Sequence, residues 1–234
     1  MNFKGTTLFR IEALCNFGDI EKGELGGWIE CEENLSHDGD AWVFDNAKVF
    51  DNAKVFGNAS LLGDAKVLGD ARVFGNAMVL GDAWVFDNAM VFDNAKVSGN
   101  ALVYGNAWVF DNAKVYGNAK VFGNAKVFDN AKVFDNAKVF GNAKVFGNAW
   151  VFDNARVCDN AMVFDNARVL GDAKVLGDAK VYGNAWVYGN VYHEDKKGVI
   201  KIVKNVIFKT QTGIQVIPRG IYIRESYFNS MEPT

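Results

Sequence analysis

From residue 41 onward apolar and polar positions repeat with a period of six: two corner residues drawn from Gly, Asp and Asn, then Ala, a variable residue, Val, and an aromatic residue or Leu. Ala recurs at every sixth position from Ala41 to Ala185, 25 times without a gained or lost residue, and Val follows two places later each time except at Leu61. A fixed period of this length predicts stacked, nearly identical units, none of which can bury its apolar face alone. Ala and Val are two apart and share one face of an extended segment, while the variable residue and the aromatic share the other. The variable position is Lys or Arg 15 times, as at Lys48, Lys54, Arg72 and Lys126. Unpaired ammonium groups cannot be stacked in a core, so Ala and Val point inward. Gly, Asp and Asn tolerate positive φ and supply the bends. Each hexad is therefore a short strand plus a corner. Three hexads close a triangular coil of 18 residues, and the array makes about eight coils of an all-β, parallel solenoid roughly 40 Å long.

Around the array, residues 1–40 read as an irregular N-terminal cap, 41–190 as the solenoid and 191–234 as a closing β segment. Val199–Lys204, Val206–Lys209, Ile214–Ile217 and Ile221–Ile223 read as short strands, a β meander that caps the last coil or pairs with another subunit. The aliphatic-to-small spacing of Val43 to Ala47 and Val49 to Ala53 resembles the hexapeptide-repeat superfamily, which implies a left-handed parallel β-helix. Leu8-Phe9-Arg10-Ile11, Gly18-Asp19, Leu25-Gly26-Gly27-Trp28-Ile29-Glu30 and Asn34-Leu35-Ser36-His37 resemble the N-terminal cap of a bacterial and prophage-associated family that carries a transferase label. Phe208-Lys209-Thr210, Gly213-Ile214-Gln215-Val216 and Arg219-Gly220 resemble its closing segment.

The resemblance implies an acyltransferase, but the residues do not supply one. Enzymes of that kind place a general-base histidine at a subunit boundary, whereas His37 and His193 lie outside the repeat at opposite ends of the chain. No catalytic residue, cofactor or metal is expected. The corner acids, Asp45, Asp51, Asp87 and Asp93 among them, could be tested as calcium ligands, yet no corner between residues 45 and 190 carries two acids. They are expected to stay dilute along stacked corner ladders and to partner the lysines. The glycine spacing lacks the strand-to-helix context of a phosphate loop. The shaft contains no threonine array for ice binding. Cys15, Cys31 and Cys158 form no CxxC pair, the first residues show no signal-peptide core, and no apolar run approaches ~20 residues, so a cytoplasmic, non-membrane protein is expected. The net charge of -3 names no partner.

The outward columns do distinguish themselves. Sorted by coil edge, one column is aromatic at every level: Phe56, Phe74, Phe92, Phe110, Phe128, Phe146, Phe164 and Tyr182. With half of each ring exposed, eight rings would form a strip of about 600–1,000 Å², above the ~300–600 Å² patch of a typical monomer. The leading expectation is a rigid, non-catalytic scaffold that self-associates through this edge as a dimer or trimer. A second concerns the six consecutive lysines from Lys114 to Lys144, which wrap two coils. Lys126 and Lys144 beside the aromatic column would then bind a nucleotide, another anionic ligand or a host protein, as a phage-encoded inhibitor would.

Overall fold

The computed structural model describes the backbone of residues 1–194, 199–202, 206–210, 213–217 and 222–224, and side chains as far as residue 189. The chain forms a parallel β-solenoid of three faces. The first carries eight strands, from Lys54–Val55 to Lys180–Val181. The second carries nine, from Trp42–Val43 to Trp186–Val187. The third begins its repeat at Lys48–Val49 and runs through Lys174–Gly177 within a larger sheet. Register is invariant along the repeat: Val55 stands beside Val73 and Val73 beside Val91, each rung 18 positions on, until Lys174 pairs with Asn190, 16 positions on.

The core follows from the side-chain alternation. Ala53 through Ala173 and Val43 through Val175, with Leu61, are fully buried at every hexad, one Ala and one Val per edge. Burying a Val side chain contributes about 1.5–3 kcal/mol, so stability accumulates rung by rung. The backbone satisfies itself in the same direction. Each variable residue donates its N–H to the Ala carbonyl one coil on, as Lys126 N to Ala143 O at 2.9 Å, and each aromatic residue to the Val carbonyl, as Phe128 N to Val145 O at 3.1 Å.

Corners work because their first residue is left-handed. Gly occupies it at φ near 70°, and ten Asp residues occupy it at 52–62°. Asp at this φ is uncommon, and here it gains a bond: the carboxylate accepts the corner N–H one coil on, as Asp129 Oδ2 from Gly147 N at 2.9 Å and Asp159 Oδ2 from Gly177 N at 2.9 Å. The second corner residue builds amide ladders. Asn106, Asn124, Asn142 and Asn160 each donate Nδ2 to the next Oδ1 at 2.9–3.0 Å, and Asp178 accepts the last bond.

The cap contains the start of the solenoid. Leu25–Ile29 pairs parallel with Lys48–Val49, and Leu35 bridges to Val55, so part of a coil precedes the repeat. Gly26 and Gly27 permit this approach: a Cβ on Gly27 would stand 2.6 Å from Ala47 O, and one on Gly26 2.6 Å from Val43 O. Asn34 is buried and forms four bonds, accepting from the N–H groups of Glu30 and Cys31 at 3.0 Å and donating to the carbonyls of Asp51 and Ala53 at 2.9 Å. Phe9–Glu12 then pairs antiparallel with Leu25–Ile29 and is the outermost strand of the sheet. At the other end Asn190–Glu194 stacks on Lys174–Gly177, Val199–Ile202 pairs antiparallel with it, and Tyr222–Arg224 pairs with Val199–Ile202. Val206–Thr210 and Gly213–Ile217 form a separate hairpin, while Arg219-Gly220 and Ile221 lie outside the described residues.

Candidate binding surface

Three columns of side chains decorate the faces, and their chemistry follows from what each touches. On the first face the eight rings from Phe56 to Tyr182 stack without a gap, centroids 4.7–5.3 Å apart and planes within 14° of parallel. Phe86, Tyr104, Phe122 and Phe140 stack likewise on the third face. The spacing is that of the β-rungs, so the backbone dictates the stack. Two consequences correct the sequence-based picture. Tyr182, 37% exposed, is the most open ring of the first column, so the strip is smaller than half exposure gives. Each inner ring is also covered on both faces by its neighbours and shows solvent only its edge, so no base can stack between rungs.

The lysines depart from expectation too. They were expected to pair with corner Asp, but among the described residues the ion pair is Glu32 with His37, on the cap at 2.9 Å. Corner carboxylates instead turn along the shaft to the N–H of the next coil. The acids are not kept dilute either: Asp93, Asp111 and Asp129 occupy one corner column in three successive coils, as Asp64 and Asp82 do in two. Among the described residues no group of three His, Cys, Asp or Glu is arranged to hold a metal ion.

Cations meet tryptophans instead. On the second face Lys132 lies 4.6 Å above Trp150, and Arg168 sits between Trp150 and Trp186 at 4.4 and 4.8 Å. Lys66 lies over Trp84 at 4.9 Å and Lys126 over Trp108 at 4.0 Å. Sorting the variable position at a period of 18 on all three edges would have shown this alternation. Lys126 and Lys144 are neighbours on adjacent rungs of the first face, beside Phe128 and Phe146. Lys114 pairs in register with Lys132, and Lys120 with Lys138, which completes a belt on all three faces. Across residues 112–147 the belt sets six lysines against Asp129 and Asp135 alone, in a chain whose net charge is -3.

The remaining reactive groups are scattered. His37 is exposed on the cap, and His193 falls on the strand above Lys174–Gly177, its side chain outside the described residues. The two are not brought together. Lys48 is buried, donates to Asn46 O at 2.6 Å and packs under Phe3, and burial lowers its pKa. Cys158 stands in an outward column yet is buried. Desolvation, and then the carboxylate of Asp159, push its thiol up to about 11.

The repeat is also what comparison with known proteins detects. A family model described as YdcK Beta solenoid repeat matches residues 71–86, 95–111 and 155–171. All three stretches lie within the array, and the match is to the repeat, with no activity attached. No curated protein matches the chain. Among the described residues no helix is long and apolar enough to cross a membrane.

Proposed function

We propose that the chain is a rigid, non-catalytic β-solenoid scaffold that seats an anionic partner on the belt from Lys114 to Lys144. The observation that carries this reading is the density of the belt, in which lysine stands beside lysine on adjacent rungs of all three faces. Within it Lys126 and Lys132 rest on indole rings, whereas Lys114, Lys120, Lys138 and Lys144 have no hydrogen-bond, ion-pair or aromatic partner among the described residues. Adjacent like charges one rung apart repel by up to about 1 kcal/mol per pair in water, a cost that a bound anion reverses. The belt encircles the shaft and does not run along it, so the ligand is one that crosses or straddles mid-shaft. Because ring faces are covered, charge and not base stacking recognises it, which favours an acidic peptide over a nucleotide.

The test is fluorescence anisotropy with labelled poly-L-glutamate across a salt series, with labelled oligothymidylate for comparison. Wild type should bind poly-L-glutamate with affinity that falls as salt rises. Lys126→Glu with Lys144→Glu should weaken binding at least tenfold, and Lys54→Glu with Lys180→Glu, on the same face outside the belt, should change it little. Equal loss in both pairs would show diffuse attraction and sink the belt.

A second reading is lateral self-association along Phe56 to Tyr182, favoured by the unbroken row of ring edges. Light scattering on Phe110→Ser with Phe128→Ser tests it: a wild-type multimer that becomes a folded monomer supports the reading. Acyl transfer is the weakest alternative, since His37 is paired with Glu32 on the cap and neither histidine lies within the hexad repeat.

A further inference from the structure

The most exposed large apolar side chains are not on the aromatic columns. Leu14 is 82% exposed, Phe9 61% and Leu25 55%, all on the N-terminal cap. They flank Phe9–Glu12, the outermost strand of the third-face sheet, which has a neighbour on one side only. Arg10 stands opposite Trp28, whose own N–H donates across its other side to Ala47 O at 2.9 Å. That makes Arg10 and Trp28 a non-hydrogen-bonded pair, and it turns the backbone N–H and C=O of Arg10 toward the free edge.

We propose that this edge pairs antiparallel with the same edge of a second copy, joining two shafts cap to cap. The side chains are self-complementary in one register. A twofold axis at Ile11 sets Arg10 of each copy against Glu12 of the other, two opposite-charge cross-strand pairs around a central Ile11 pair. A proline on an edge, or like charges set opposite each other across it, would oppose pairing with a second copy. This one carries a cation and an anion two residues apart, both exposed, with Phe9, Leu14 and Leu25 free to be covered at its ends. Pairing would also make the third faces of two copies one continuous sheet. The interface is small, so association should be reversible and concentration-dependent.

Light scattering over a concentration series, with small-angle scattering for length, decides it. Wild type should approach twice 25.7 kDa at high concentration, with a maximum dimension near twice that of the monomer. Glu12→Arg sets guanidinium against guanidinium at both ends of the pairing and should be monomeric with unchanged circular dichroism. Arg10→Glu should be monomeric for the opposite reason, and an equimolar mixture of the two variants should dimerise, because every cross-strand pair is then complementary. Should Arg10→Glu lose its fold with the bond from Arg10 Nε to Gly26 O, Phe9→Ser with Leu25→Ser replaces it, and a dimer there overturns the proposal. Wild type monomeric at every concentration, a dimer that survives Glu12→Arg, or folded charge variants that fail to pair when mixed would also overturn it. The belt reading is independent, since the Glu12→Arg monomer should still bind poly-L-glutamate.

Discussion

Asn34 shows how much one side chain can fasten. All four of its hydrogen-bonding positions are used, two on its own turn and two on carbonyls of the first coil, in a site 1% exposed. Asn34→Leu keeps the branching at Cγ but removes four hydrogen bonds, one buried and three part-buried, so the cap should lose about 3 kcal/mol or more. Because neighbouring coils hold one another, the loss stays local. Hydrogen exchange should accelerate over residues 25–55 and hardly change near residue 120. Cys158 makes the opposite point, a group that matters through its neutrality. Its folded pKa of about 11 lies above the ordinary thiol value of 9.0, so below pH 9 both states are protonated and no penalty arises. Between pH 9 and about 11 the unfolded thiol ionises while the folded one resists, and stability falls as pH rises. Thermal melts should therefore drop more steeply over that window in wild type than in Cys158→Ala. At pH 8 a thiol reagent should label the exposed Cys15 and Cys31 before Cys158.

At the scale of the element, the corner is the unit that selects sequence. Its first residue must accept positive φ, which explains Gly, and its stacked carboxylate can accept the next coil's N–H, which explains Asp. Its second residue must both donate and accept along the column, which explains Asn. Asp can only accept, and Asp70, Asp172 and Asp178 are found receiving a bond from the Asn below. Asn124→Asp, in the middle of a ladder, removes a donor and sets a carboxylate against Asn142 Oδ1. It should lower stability by about 1 kcal/mol in thermal melts, whereas Asp178→Asn, where the run ends, should be near neutral. The same carboxylate bonding explains why the lysines were misjudged. Charge alone suggested Lys–Asp pairing, but a left-handed Asp aims along the shaft axis and meets an amide before it meets an ammonium.

For the whole molecule, a shaft built on one register spaces every outward chemistry by the same rung. That makes columns of like residues unavoidable, and the chain differs from a uniform array in where it breaks them. Tryptophans interrupt the cations on the second face, aromatics continue unbroken on the first, and lysines crowd into a mid-shaft belt. With cap-to-cap pairing, each assembly would present two such belts on one rod, a geometry that favours bivalent partners.

The hexad itself determined the solenoid, the inward Ala and Val, the outward lysines and the eight-ring column, because a period that never slips leaves one way to bury the apolar face. The residues outside the period carried no such signal. That Leu25–Ile29 belongs to the third face, that Asn34 fastens the cap and that Phe9–Glu12 leaves an open edge were decided by pairing between segments far apart in the sequence. The partners of the outward side chains were likewise set by tertiary structure, since whether a lysine reaches an indole of the neighbouring coil or turns back to a carbonyl of its own corner depends on what is stacked beside it.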